Sequence, residues 1–517
     1  MAKRTYNILF NLHTVSGIVI SVALYVIFFA GSFSFFRDEI VNWERNEGVI
    51  SKKEIPLNID SVIDSLSDNY QLYGRDISIT KYYEERRVNV SLSASKDSLA
   101  TNDAKVSQFF YLDPLTYSTY TYINSYSLGE FLYRLHFFAQ IYYPVGYYLS
   151  GFVAFFFLFA IITGVLVHWK KIVSNFFIFR PWSKLKTIWT DAHTALGMIG
   201  LPFQFVYAVT GAFFMLKLLI VAPSVFTIYG GNQAKLYEDL EYSDPTFQFE
   251  NSKENSSISL NKFIDQTKAT WENFNVSEVK IYNFGDSNMH VAINGELDKK
   301  TKFTAPGKII YKAYTGEIIS KKDPVTESSY LDGVKNVMFR LHYGDYGGYA
   351  LKVISFVLGI ISCLVIISGV MIWLVARDRK NVPEKKRIFY NRVARIYLAI
   401  CLSMYPITAA SFIAVKLAHP AGQEFIYWFY FIGWLLLTVF FILKKDNHFT
   451  NKSCLLLGSI FGFLIPLVNG LTTGNWLWES FAAGQDQILF IDVFWIITAS
   501  ITLFAALKLK KKEVISS

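Results

Sequence analysis

Hydrophobic residues in this chain come in long blocks, and the blocks repeat. One opens on Arg134-Leu135-His136, stays apolar for most of its length and closes on Thr163-Gly164-Val165-Leu166-Val167-His168-Trp169-Lys170-Lys171. A membrane span needs roughly 20 residues at about 1.5 Å of rise each, so this block predicts a bilayer helix with a histidine near each face. The wording returns at Arg340-Leu341-His342, whose apolar run closes on Ser368-Gly369-Val370-Met371-Ile372-Trp373 and then Arg377-Asp378-Arg379-Lys380. Two further blocks match each other. His13-Thr14-Val15-Ser16-Gly17 opens the first and Gly31 ends it; Asp191-Ala192-His193-Thr194-Ala195-Leu196-Gly197 opens the third, which reaches Gly211. In both, the far glycine follows the histidine by eighteen residues. At about 100° per residue that is five full turns, so the histidine and both glycines share one helix face, open to close approach by another helix or a flat macrocycle.

Polar, mixed sequence separates these blocks. In residues 38–130 a short helix is expected from Ser61 to Leu66, and strand alternation appears around Ile77 to Ile79 and Val88 to Leu92, followed by Tyr111-Leu112-Asp113-Pro114-Leu115-Thr116 as strand into turn. In residues 224–338 a helix is expected from Leu260 to Thr270, strands at Val279 to Tyr282 and His290 to Ile293, and a hairpin around Thr315-Gly316. The chain is therefore a mainly α membrane protein whose first four spans (residues 1–37, 131–171, 187–223 and 339–380) are a duplicated helix, α+β domain, helix unit. After a basic linker, Lys385-Lys386-Arg387, residues 388–512 carry four more spans, at about 391–417, 425–443, 453–471 and 486–507. Eight spans put both termini on one side. The lysines and arginines at Lys3, Arg4, Lys170, Lys171, Lys444, Lys445 and Lys508 to Lys512 make that side cytoplasmic, with the two polar domains outside. The run from about Ile8 to Phe36 is too long for a secretory leader and lacks a small-residue cleavage pattern, so it reads as an uncleaved anchor.

Composition narrows the chemistry. Of 517 residues 52% are hydrophobic and 17% aromatic, too apolar for a soluble protein of this size. The formal charge of +9 would suit nucleic acid, but the basic residues sit at the ends of apolar runs, where they set topology, so no nucleic-acid partner is expected. Cys363, Cys401 and Cys454 all fall in or beside spans, which leaves no disulfide framework or cysteine metal site in the polar segments and rests metal chemistry on histidine.

The histidines sort by depth. His136 and His342 lie at the outer ends of the second and fourth spans, and His13 and His193 near the inner ends of the first and third. A single histidine at a helix end is commonly an interfacial anchor. Matching context in two copies favours two facing pairs instead, and two facing imidazoles can hold one haem iron axially. His168 has no equivalent, because Trp373 holds its place; it is an interfacial residue or a replacement ligand on the inner side. Arg134 and Arg340 are interface snorkellers or partners for a haem propionate. His290, His419 and His448 are weak candidates. The tyrosine-dense run from Tyr117 to Tyr148 reads mainly as an aromatic belt.

His-Thr-x-x-Gly opening spans one and three, Arg-Leu-His opening spans two and four, Thr-Gly or Ser-Gly then Trp at their inner ends, and Tyr314-Thr315-Gly316-Glu317 in the second polar domain together resemble the PepSY-associated transmembrane family over about residues 1–380. The resemblance implies a bacterial inner-membrane protein with two periplasmic PepSY-like domains and two b haems, reducing a ferric siderophore or other ferric chelate outside and fed by a quinol or flavin donor. Carried onto this sequence, it makes His136 with His342 and His13 with His193 the axial ligands. The first domain has Asp113-Pro114-Leu115-Thr116-Tyr117 where the family has Thr-Gly. Residues beyond 380 lie outside the resemblance. Two other classes stay open: a non-catalytic periplasmic sensor or inhibitor, and a transporter for haem or a metal chelate, although no nucleotide-binding loop is present to drive pumping.

Overall fold

In the computed structural model the described residues are 2–509, without 50–53, 172, 173, 175, 179, 181, 241, 242, 299–301, 328 and 378–381. The basic ends Arg379-Lys380 and Lys510-Lys511-Lys512 therefore lie outside the description. In chain order the elements are α1 (Lys3–Ser34), α2 (Arg37–Arg45), α3 (Ile59–Ser67), β1 (Ile77–Thr80), β2 (Val88–Leu92), β3 (Gln108–Leu112), β4 (Thr119–Thr121), α4 (Leu128–Leu135) and α5 (Val145–His168). Then come α6 (Leu185–Thr227), α7 (Gln233–Asp239), α8 (Asn261–Thr270), β5 (Phe274–Tyr282), β6 (His290–Leu297), β7 (Pro306–Lys312), β8 (Ile318–Lys322), α9 (Tyr330–Tyr343) and α10 (Gly348–Val375). The chain closes with α11 (Glu384–Leu417), α12 (Gly422–Lys444), α13 (Asn447–Thr473), α14 (Leu477–Ala482) and α15 (Asp486–Lys508).

Among the described residues eight helices are long and apolar enough to cross a membrane: α1, α5, α6, α10, α11, α12, α13 and α15. The protein is a multi-pass membrane protein, mainly helical, with one antiparallel sheet. It divides into two compact units, one of residues 1–46, 127–223 and 340–517, the other of residues 47–126 and 224–339.

The helical unit departs from the expected spans in one respect, twice. The second span was expected as one helix over 131–171. It is broken: α4 ends at Leu135, and α5 starts only at Val145 behind Pro144. The fourth span breaks likewise between Tyr343 and Gly348, where Gly344 and Gly348 adopt positive φ of 62° and 58°. Proline and left-handed glycine both stop a helix that apolar content alone would continue. His136 and His342 consequently sit at the ends of short lead helices and not within the spans.

The second unit corrects the domain count. The two polar segments, expected as separate domains over 38–130 and 224–338, form one eight-stranded sheet in the order β4-β3-β2-β1-β5-β6-β7-β8. The join is the antiparallel pairing of β1 with β5, which are equivalent strands of the two copies. Residues 38–46 and 127–130 also leave these domains and belong to the helical unit. One row explains the fusion. Phe110, Val90, Ile79, Val279, Ile293 and Ile309 are neighbours in register across β3, β2, β1, β5, β6 and β7, and all six are buried. α3 adds Ile59, Val62, Ile63 and Leu66, spaced i, i+3, i+4, i+7, and α8 adds Phe263 to the same core. Each such side chain contributes roughly 1.5–3 kcal/mol when buried, so a copy that kept its β1 or β5 edge in water would leave Ile77 and Ile79, or Val279 and Ile281, without their cross-strand neighbours.

Candidate cofactor site: two histidine pairs

The inner pair is built the same way in both copies. His13 on α1 donates from Nδ1 to the Ala160 carbonyl of α5, at 2.8 Å. One turn further along α5 lies Gly164, where a Cβ would stand 3.0 Å from His13 Cε1, so the glycine makes room for the ring. His193 on α6 donates from Nδ1 to the Val365 carbonyl of α10, at 2.9 Å, with Ser368 Oγ at 3.2 Å. One turn after Val365 comes Gly369, whose Cβ would stand 3.1 Å from His193 Cε1. The Thr-Gly and Ser-Gly signatures at the inner ends of the spans are thus seats for the histidines of the preceding helices.

The outer pair is oriented by different means. His136, capping α4, places Nδ1 against the Tyr133 carbonyl of its own helix. His342 on α9 places Nδ1 2.7 Å from Thr210 Oγ1 of α6. The Thr210 hydroxyl donates its own proton to the Val206 carbonyl at 2.7 Å, so it accepts from His342. Tyr207 and Phe214 each hold a ring centroid 5.1 Å from His342, and Phe137 stands edge-on to His136 at 4.8 Å.

All four tautomers come out alike. Carbonyls and an already committed hydroxyl can only accept, so each Nδ1 carries the proton and each Nε2 keeps its lone pair. Among the described residues no Nε2 of the four has a hydrogen-bond partner, and all four rings are half-buried. The two rings of each pair are close neighbours. His13 and His193 have ring centroids 6.2 Å apart with planes at 69°, and His136 and His342 are 6.4 Å apart at 32°. A metal about 2.0 Å from one nitrogen of each ring, with about 1.1 Å from nitrogen to ring centre, sets collinear centroids roughly 6.2 Å apart. Both pairs meet that spacing. Each offers only two protein donors, and among the described residues no group of three or more His, Cys, Asp or Glu side chains gathers to hold a metal. The arrangement suits a metal that arrives with its equatorial ligands already in place.

Space beside the inner pair agrees with this. A Cβ at Gly17 or Gly197, one turn beyond His13 and His193, would meet nothing within 4 Å. The far glycines diverge: Gly31 faces His136, Cβ to Cβ at 3.7 Å, whereas Gly211 faces Ala154 at 3.4 Å. Because Gly31 is eighteen residues from His13 along α1, the two pairs stand about 27 Å apart in depth.

The remaining candidates are placed as follows. His168 ends α5, one turn past Gly164 and within electrostatic reach of His13 and His193, while Trp373 packs on Tyr390 with Arg377 over its ring. Arg134 pairs with Glu130 at 2.6 Å and Arg340 with Asp345 at 2.5 Å. His290 stacks on Phe247 in the sheet unit. The three cysteines are free and buried. Thr210 escaped sequence reasoning, because its repeat counterpart is Ala30 and no echo marks it.

No curated protein matches the chain. The family model described as the PepSY-associated TM region matches residues 10–376, from just before His13 to just past α10, and leaves α11 to α15 outside. With that match over most of its length, the chain belongs to the PepSY-associated TM region family.

Proposed function

We propose that the two histidine pairs each hold a b haem and that the protein carries single electrons across a bacterial inner membrane to a ferric siderophore, or another ferric chelate, on the periplasmic side. The observation that carries this reading is the pairing itself: two imidazoles at each of two depths, Nδ1 committed, Nε2 free, ring centres 6.2 and 6.4 Å apart. Bound there, the haems would supply a reversible one-electron Fe(III)/Fe(II) couple at each level.

The residues themselves do the rest. Ala160, Val365, Tyr133 and Thr210 fix ring orientation and raise the basicity of the opposite nitrogen, as outer partners of metal-bound histidines generally do. Phe137, Tyr207 and Phe214 wall the outer pair with apolar surface and so keep water from it. The substrate takes one electron per iron. Ferric iron held by hard oxygen ligands becomes ferrous, a softer and more weakly bound ion, and leaves. The electron comes from a quinol or reduced flavin, which is oxidised in turn.

A dithionite-reduced minus oxidised spectrum of the purified protein tests the proposal. Low-spin b-type bands, halved in His136→Ala or His342→Ala and in His13→Ala or His193→Ala, are expected, with anaerobic trapping of Fe(II) from a ferric chelate as the activity. A colourless protein, or bands indifferent to these substitutions, overturns it.

A further inference from the structure

Outside the two pairs, α2 carries four buried polar or charged side chains, Arg37, Glu39, Asn42 and Glu44. Seen down this helix, two faces carry different partners. Arg37, Val41 and Glu44, spaced i, i+4, i+7, face α4. Arg37 gives Nε and Nη2 to Glu130 Oε2 at 2.9 and 2.7 Å, Glu44 Oε2 accepts the Leu128 N–H at 2.6 Å, and a Cβ on Gly129 would come within 2.6 Å of the Arg37 carbonyl oxygen. Glu130 also holds Arg134, two residues before His136.

The other face carries Glu39, Asn42 and Trp43. Glu39 pairs with Lys352 of α10 at 2.6 Å. Asn42 reaches Gln487 of α15 at 2.5 Å. Trp43 donates from Nε1 to Asp492 Oδ1 of α15 at 2.8 Å, while the other carboxylate oxygen takes the Asn469 side chain of α13 at 2.8 Å. Lys416 of α11 donates to the Trp43 carbonyl and stands 4.4 Å over its ring. Asp492 and Trp43 are fully buried. Ionisable groups are costly inside a membrane bundle, and apolar packing would often be at least as stable. What a hydrogen-bonded network adds is one fixed geometry.

We propose that the C-terminal helices beyond the family match serve as a buttress for the outer pair. Asp492 fixes Trp43, α2 transmits that register to α4, and α4 holds His136 at its spacing from His342. Asp492 is thus a positioning residue. The inference rests on the haem reading for its spectroscopic consequence, but not for its mechanical one.

Two readouts on the full-length protein test it. The low-spin ferric signal of a bis-imidazole haem depends on the angle between the ring planes, so the outer pair at 32° and the inner pair at 69° give separable signals. Hydrogen exchange at the Leu128–Leu135 amides reports α4 with or without haem. In Asp492→Leu the outer signal moves while the inner one stays, and α4 amides exchange about tenfold faster or more while those of α9 do not. Asp492→Asn keeps an acceptor for the Trp43 N–H and restores both readouts. The idea fails if Asp492→Leu matches the unaltered protein, if the inner signal and α9 change as much as the outer signal and α4, or if Asp492→Asn is as impaired as Asp492→Leu. If the unaltered protein proves colourless, the haem reading falls, and α4 exchange alone decides the buttress.

Discussion

Replacing Gly17 and Gly197 together by alanine tells a glycine that permits packing from one that keeps a space. In the chain alone the added methyls meet nothing within 4 Å, so no clash opposes them. Alanine is better than glycine in a helix interior by about 0.5–1 kcal/mol, so the pair should stabilise the haem-depleted protein by about 1–2 kcal/mol. If a macrocycle lies beside His13 and His193, the same methyls press on its face. Overpacking of that kind costs typically about 1–3 kcal/mol, which is about a 5- to 150-fold loss of affinity. Two measurements follow: thermal unfolding of the depleted protein, which should rise, and haem per chain with the inner low-spin signal, which should both fall while the outer signal persists. Full haem content with an unshifted inner signal would refute the placement of a ring against these glycines. A depleted double variant less stable than the unaltered protein would refute the open space itself.

On the proposed haem reading, Thr210→Val, which removes the acceptor that holds His342 Nδ1–H, should weaken haem binding at the outer pair about 10- to 100-fold while sparing the inner one, read by titrating haem into the depleted protein. Gly164→Ala should push the His13 ring by a few tenths of an ångström and shift the inner signal, as Gly369→Ala should through His193, with the outer signal as internal control. In the sheet unit, Asp323 accepts the backbone N–H groups of Thr326 and Val325, which with the Trp271 indole hold its carboxyl down at about 2. Because that value is below the unfolded one of about 3.9, the stabilisation is full above pH 4 and is lost as pH falls towards 2. Asp323→Ala should lower stability at neutral pH and flatten the acid limb between pH 4 and 2, measured by denaturant unfolding at each pH.

Much of this was legible in the residues. Apolar blocks gave all eight spans, because a bilayer demands length and little else, but the second and fourth start later than expected, at Val145 and Gly348. The strands Val88 to Leu92 and His290 to Ile293 were visible through alternation. The four histidines were found by repetition, and the structure brings them together as two pairs. Three things were missed. The break after Leu135 lies in largely apolar sequence, where hydropathy is blind and only Pro144 speaks, and the break after Tyr343 is written in the short run Gly344-Asp345-Tyr346-Gly347-Gly348. The Thr210 and Tyr133 acceptors differ between the copies, so no repeat pointed to them. The shared sheet depends on β1 meeting β5 across some two hundred residues of chain, a pairing that no local pattern records.

That shared sheet also says something about origin. Its strand sequence is a palindrome, and its central seam joins one strand to its own counterpart running the opposite way, with Ile77 opposite Ile281 and Ile79 opposite Val279. Such a seam is what a dyad axis produces when two identical molecules lie edge to edge. A half-length chain carrying only one helix, strand and helix set would be left with a bare backbone border, and the partner best matched to cover it is its twin. Gene fusion would then have made permanent a homodimer that already closed this way, and a severed half expressed today should pair with itself again.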